Sequence, residues 1–291
     1  MSQAQISRPI MQATMLHEAL GQPGNDLLVC DCRSDLVDED AGVRAYLQGH
    51  IPGAIHVHLD RDLSGPKTGK NGRHPLPDPQ SFVTRLAQWG VNEHTNIVAY
   101  DSQGGLFAAR LWWMCLWVGH ANVCLLDGGL EAWTRAGFGL VDGVASERNP
   151  GTIVRKPSLV PSLEMEQVRQ VYRRPDVLVL DARPADRFAG QNETLDPIAG
   201  HIPGARNRPF RDNLNADNTF KDPQTLRSEF DKALRGMTPD QVIAQCGSGA
   251  SACQMLVAME LAGLPGAALY AGSWSEWSAQ PDAPVETGST T

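Results

Sequence analysis

The hexapeptide GHIPGA stands at Gly49–Ala54 and again, unchanged, at Gly200–Ala205. Working outward from the two copies, NDLLVCDCR (Asn25–Arg33) lies upstream of the first and PDVLVLDAR (Pro175–Arg183) upstream of the second, each a short apolar run ending in Asp-x-Arg. The spacing agrees: 49 to 200 is 151 residues, and 31 to 181 is 150. Downstream, NIVAYD (Asn96–Asp101) matches QVIAQC (Gln241–Cys246), and LLDGGLEAW (Leu125–Trp133) matches LYAGSWSEW (Leu269–Trp277). Four matched landmarks in one order mean that the chain is an internal duplication.

Each half reads as strand, loop, GHIPGA turn, strand, helix, strand, glycine turn and helix. The apolar runs are short and rich in Val, Ile and Leu, as strands buried on both faces are, and stretches such as SFVTRLAQWG and LRSEFDKALRG between them have helical spacing. Strands alternating with helices predict an α/β fold of two tandem domains, each a parallel sheet with helices on both faces. The expected spans are 8–140 for the first domain and 161–285 for the second. Residues 141–160, with Gly, Pro, Ser and charge but no sustained period, are the expected linker.

Composition narrows the function. The 291 residues suffice for two domains, and 25 Lys+Arg against 33 Asp+Glu leave a net charge of −8, with no basic run to neutralise a row of phosphates. Nucleic acid is therefore not an expected partner. The longest apolar run, from Leu111 to Gly119, is too short for a bilayer span, so no membrane association is expected either. The first 25 residues lack the basic and apolar regions of a secretory signal, and a cytoplasmic location is the default expectation. Six cysteines are too few for a disulfide scaffold in a chain of this length, and no pair is spaced CxxC. Neither a metal site nor an organic cofactor is expected.

One cysteine differs from the rest. Cys246 directly follows the strand pattern QVIAQ and precedes the apolar helix ASACQMLVAMEL. A thiol attacks as its thiolate, which a helix N-terminus and converging backbone N–H groups stabilise. Gly247, Ser248 and Gly249 are small enough for the loop to wrap with its amides inward. At the matching point the first repeat carries Asp101 in YDSQGGLFAAR, so one half has a nucleophile and the other lacks it. Cys30, Cys32, Cys115 and Cys124 lie in apolar runs and read as core. Cys253, in the helix after the loop, reads as packing, with a resolving thiol as the alternative. His50 and His201 of the two GHIPGA copies, and Arg33 and Arg183 of the two Asp-x-Arg runs, occur equally in both halves. That symmetry assigns them to structure.

The paired GHIPGA turns, the Asp-x-Arg strands and the CGSGASA loop together resemble the tandem-domain sulfurtransferases of the rhodanese family, and within it the bacterial 3-mercaptopyruvate sulfurtransferases. The resemblance runs from about residue 8 to residue 285. It implies a Cys246 persulfide as the working intermediate, a small-molecule sulfur donor (3-mercaptopyruvate or thiosulfate), and a thiol, thioredoxin or cyanide as acceptor. Matched residue by residue, it implies that Asp60 and His74, from HLDRDLSGPKTGKNGRHPLP, face the catalytic loop and form a serine-protease-like relay with Ser248. From the residues alone, His74 beside Arg73 reads as a solvated loop histidine. Arg187, in DARPADRFAG, matches the arginine that reaches the substrate anion; Gly247, Gly249, Ala250 and Ser251 complete the binding loop. Phe107 matches an aromatic lining the cleft, and a core role suits it equally.

The chain departs from the pattern at one point. A second substrate arginine is usual about ten residues after the first, and Asp196 and Pro197 stand there instead. Other readings of the cysteine loop are weaker. Cysteine phosphatases carry an arginine after five intervening residues, where this chain has Ala252, so a phosphate dianion would lack its counter-charge. A non-enzymatic persulfide sensor or binding scaffold suits a chain that has lost its nucleophile, and Cys246 is intact. Because positions 247–249 carry no charge, the expected donor is the mercaptopyruvate monoanion in preference to the thiosulfate dianion.

Overall fold

The computed structural model describes residues 8–146 and 148–289. Its contacts divide the chain into two compact units. One holds the chain through Ser64, Pro77–Leu159 and Asn215–Phe220; the other holds Gly65–Leu76, Val160–Leu214 and the chain from Lys221 onward. These differ from the spans 8–140 and 161–285 in two exchanged segments. The stretch carrying His74 groups with the second unit although it precedes the rest of it by more than eighty residues. The expected linker, 141–160, runs largely within the first unit.

The first unit is a five-stranded parallel sheet. Its strands are β1 (Ile10–Met11), β2 (Leu27–Asp31), β3 (Ile55–His56), β4 (Asn96–Tyr100) and β5 (Val123–Leu126), in the order β1-β5-β4-β2-β3. Its helices are α1 (Ala13–Leu20), α2 (Ala41–Gln48), α3 (Leu59–Asp62), α4 (Pro79–Gln88), α5 (Ala108–Trp117) and α6 (Gly129–Arg135). Parallel strands need crossover connections, and these helices supply them. α4 starts where its sequence says it should, with Asp78 accepting from the Ser81 N–H at 2.8 Å and Pro79 in the first turn.

The second unit repeats the plan. Helix α7 (Met165–Val171) is followed by β6 (Leu178–Asp181), α8 (Ala185–Phe188), β7 (Arg206–Asn207), α9 (Pro223–Leu234), β8 (Val242–Gln245), α10 (Ala250–Leu261), β9 (Ala268–Leu269) and α11 (Ser273–Trp277). The strands pair in the order β7-β6-β8-β9, all parallel. A parallel bridge from Ser162 to Leu269 stands where the first unit has β1 on β5. β6 and β8 are buried along their whole length, and α10 is buried from Ala250 to Met259. A helix apolar all round belongs inside, and α10 lies between the sheet and α9 accordingly.

The duplicated motifs do the same work twice. Arg33 and Arg183 each grip the aspartate two residues earlier through Nε and Nη2, and each donates to the carbonyl of the GHIPGA glycine, Gly49 at 2.7 Å and Gly200 at 2.8 Å. His50 Nδ1 meets the Tyr46 carbonyl at 2.9 Å, and His201 Nδ1 the Phe188 carbonyl at 2.8 Å. Each histidine also stacks on the ring concerned, Tyr46 or Phe188, and bridges antiparallel to the chain beyond the last helix of its half. The structural role read from their symmetry is what the structure shows. Arg183 and Asp181 are both fully buried. Removing one partner of such a pair strands the other charge, so Arg183→Met is expected to cost about 3–5 kcal/mol in urea unfolding of the second unit. The more exposed Arg33, at 12% against 1%, should cost less on the same change; equal losses would contradict the burial argument.

Candidate active site

Cys246 is the first residue after β8, and α10 begins four residues later at Ala250. Three contacts from the chain around α11 hold the intervening loop. The Cys246 N–H donates to Ser273 Oγ at 3.1 Å, the Cys246 carbonyl accepts from the Trp274 N–H at 2.9 Å, and the Gly247 carbonyl accepts from the Ser275 N–H at 2.9 Å. Gly249 takes a left-handed φ of 86°, and its N–H donates to Cys246 Sγ at 3.1 Å. The sulfur thus lies at the mouth of a helix N-terminus with an amide already directed at it, an arrangement that stabilises negative charge on sulfur. Ala250 and Ser251 are the buried first residues of that helix. Cys253, fully buried one turn further on, donates to the Gly249 carbonyl at 3.0 Å, as a packed helical thiol does.

The first unit provides an internal comparison. Asp101 stands at the position of Cys246, and its carboxylate fills its own loop. Oδ1 accepts from the Gln103 and Gly105 N–H groups at 2.8 and 2.9 Å, and Oδ2 from those of Phe107 and Ala108 at 2.8 and 3.0 Å. Four amides converging on one anion show that this loop shape is an anion nest. In the first unit a resident carboxylate occupies it; in the second the corresponding chemical position belongs to a thiol. Phe107 is buried, and its amide belongs to that nest. Asp60 lies in α3, its N–H donating to the capping His58 Nδ1 at 3.1 Å.

Besides Gly249, Ala250 and Ser251, the second unit brings His74, Ser248, Arg187 and Gly247 around Cys246. His74 Nδ1 lies 2.8 Å from Ser248 Oγ, and both side chains are buried. The solvated-loop reading of His74 is therefore replaced: the segment Gly65–Leu76 is fixed by its own closure from the Gly65 N–H to the Pro75 carbonyl at 2.8 Å and by Arg73 N–H donating to Ser275 Oγ at 3.0 Å. Gly72, at φ 85°, passes so close that a Cβ would come within 2.9 Å of the Gly272 carbonyl oxygen. Arg187, in α8, faces Gly247, and so does Arg73. A Cβ on Gly247 would lie 2.7 Å from Arg73 Nη2 and 3.7 Å from both terminal nitrogens of Arg187.

The loop is uncharged, but its surroundings are not. Arg187 pairs with Glu193 at 2.7 Å and Asp196 at 3.3 Å, and Arg73 pairs with the same Asp196. Glu193 also accepts from the Leu195 and Asp196 N–H groups, and despite its burial these bonds and Arg187 hold its carboxyl below the usual range. Burial raises the Asp196 carboxyl, against the pull of both arginines. Among the described residues no cluster of His, Cys, Asp and Glu is arranged to hold a metal ion.

Sequence reasoning did not single out Arg73, Glu193, Ser273 or Ser275. A signal existed for Ser273. In the matched landmarks it aligns with Gly129, and the two share a left-handed backbone, φ 55° against 58°. A side chain at a position where the sister copy keeps glycine signals a purpose, here the Cys246 amide.

The family model of the rhodanese-like domain matches residues 12–136 and 164–280. This chain belongs to the rhodanese-like family. Similar over nearly its whole length is a "Probable 3-mercaptopyruvate sulfurtransferase" of Pseudomonas aeruginosa, 45% identical over 284 residues, with 97% of this chain and 99% of the relative covered. Among solved structures, the 3-mercaptopyruvate sulfurtransferase from Leishmania major superposes with a TM-score of 0.86 at 27% identity, covering 98% of this chain and 78% of the other. The Escherichia coli enzyme SseA, whose structure is described as showing the rhodanese fold and the catalytic mechanism of 3-mercaptopyruvate sulfurtransferases, gives 0.79 at 31% identity, covering 93% and 100%. The expectation of two tandem rhodanese-like domains and a sulfurtransferase enzyme is borne out. Among the described residues of this family member no helix is long and apolar enough to cross a membrane.

Proposed function

We propose that this rhodanese-like protein takes sulfur from 3-mercaptopyruvate onto Cys246 and passes it to a thiol. The observation that carries the reading is the 2.8 Å contact of His74 Nδ1 with Ser248 Oγ, two residues from the cysteine. In the first step the Cys246 thiolate attacks the donor's sulfur, an S–S bond forms and the C–S bond breaks. Its electron pair passes into the enolate of pyruvate, which is protonated to pyruvate and leaves Cys246 as a persulfide. Ser248 donates a hydrogen bond to the developing enolate oxygen, and His74 exchanges the proton through it. In the second step an acceptor thiolate takes the outer sulfur and the Cys246 thiolate is restored. Low-molecular-weight thiols and thioredoxin are the acceptor class, and the buried free thiols of the chain suit a reducing, cytoplasmic compartment.

The same reading favours a monoanionic donor, on a different ground than the bare loop. Arg73 and Arg187 bring two positive charges to Gly247, and Glu193 and Asp196 return two negative ones. A dianion entering that balanced site is poorly compensated. Pyruvate release from 3-mercaptopyruvate and thiocyanate formation from thiosulfate plus cyanide, measured side by side, are expected to differ at least about tenfold in kcat/KM in favour of the former. A preference for thiosulfate, or no turnover of either donor, would overturn the reading.

A further inference from the structure

We propose that Asp196 is a specificity-determining residue: its carboxylate occupies the anion position between Arg73 and Arg187, and an anionic donor binds by exchanging with it. The proposal rests on the proposed function for the donor's identity and on the geometry for everything else. The side chain of Asp196 is 2% exposed, whereas those of Arg73 and Arg187, at 25% and 15%, remain reachable from solvent. The hydrogen bonds its carboxylate accepts come from these two guanidiniums, one oxygen to each. Glu193 is different in kind, since backbone amides hold it as well, so it is the fixed partner of Arg187 and Asp196 the exchangeable one. Both arginines converge on Gly247, next to the sulfur.

A carboxylate flanked by two guanidiniums has the chemistry of a bound α-keto acid. A donor carboxylate can take one guanidinium while Asp196 keeps the other, and no charge is stranded. A dianion would require both, leaving a buried Asp196 without a cation. The residue standing where a second substrate arginine was expected thus filters the donor by charge.

The test reads the cations without relying on sulfur transfer. Iodoacetate and iodoacetamide alkylate Cys246 by the same step, in which Sγ forms a bond to carbon and iodide leaves. The thiolate's own reactivity cancels in their rate ratio, followed on the Cys246 peptide by mass spectrometry. In the native protein the ratio should lie within about threefold of that of a small free thiol, because the arginines are already neutralised. Asp196→Asn and Asp196→Ser should raise it about tenfold, and Asp196→Glu should leave it near the native value. The neutral variants should also lower KM for thiosulfate by more than KM for 3-mercaptopyruvate.

An unchanged ratio in a folded neutral variant overturns the proposal. So does a native ratio already more than about tenfold above the free thiol, which settles the matter even if neither variant folds. A ratio that rises in protein that moves no sulfur from 3-mercaptopyruvate upholds the role of Asp196 and removes the proposed function instead.

Discussion

Cys246→Ser is expected to abolish sulfur transfer, with kcat falling at least about 10³-fold, whereas Cys253→Ser retains most of it. The two thiols stand seven residues apart in the chain and differ in what surrounds them. Cys246 Sγ receives the Gly249 amide at the start of α10, where negative charge on sulfur is stabilised. Cys253 donates its own proton to the Gly249 carbonyl and has no exposed surface. A serine hydroxyl at 246 would accept the same amide, so the loop should remain folded and the loss should be chemical. Incubating the native protein with 3-mercaptopyruvate and no acceptor should add the mass of one sulfur atom to the peptide holding Cys246. The added mass on Cys253, or turnover surviving in Cys246→Ser, would overturn the assignment.

The repeat made the fold legible before any element was assigned. GHIPGA and the Asp-x-Arg run recur because an arginine from the strand end must reach the carbonyl of the turn glycine, and both halves solve that packing problem identically. The nucleophile was legible for the opposite reason, as the place where the copies differ, Asp101 against Cys246. Other parts had no signature. The strands Ile10–Met11, Ile55–His56, Arg206–Asn207 and Ala268–Leu269 have two residues each, too few to show a period, and exist because a neighbouring strand offers them a ladder.

The segment Gly65–Leu76 was hidden for another physical reason. Its Gly, Pro, Lys and Asn content is that of a solvated loop, and composition does not show that Gly72 closes on Gly272 or that the Arg73 amide finds Ser275. These contacts join residues about 200 positions apart. With them go the placement of His74 and the supply of a second arginine to the site. Asp196 was visible as a departure, but its meaning depended on Arg73, which sequence distance concealed.

His74→Ala should lower kcat/KM for 3-mercaptopyruvate by about 10²–10³-fold, most of it in kcat. The expectation starts from burial. His74 Nδ1 is 2.8 Å from Ser248 Oγ with both side chains shielded from water, so the hydroxyl's hydrogen-bond partner is the ring and not bulk solvent. In the proposed mechanism the enolate that forms as the C–S bond breaks needs both a hydrogen bond and a proton, and Ser248 would relay the proton to or from His74. Ser248→Ala should therefore cost a similar factor, and the double variant little more than either single one, because two members of one relay are lost together. His74→Gln, which keeps a polar group in reach of Ser248 but cannot take up and release a proton, should keep the fold and recover only a small part of the rate. Alkylation of Cys246 by iodoacetamide should change far less than turnover in all four variants, since the Gly249 amide and α10 are untouched. Losses that simply multiply in the double variant, or that fall in KM with kcat preserved, would show that the pair orders the loop and takes no part in the proton transfer.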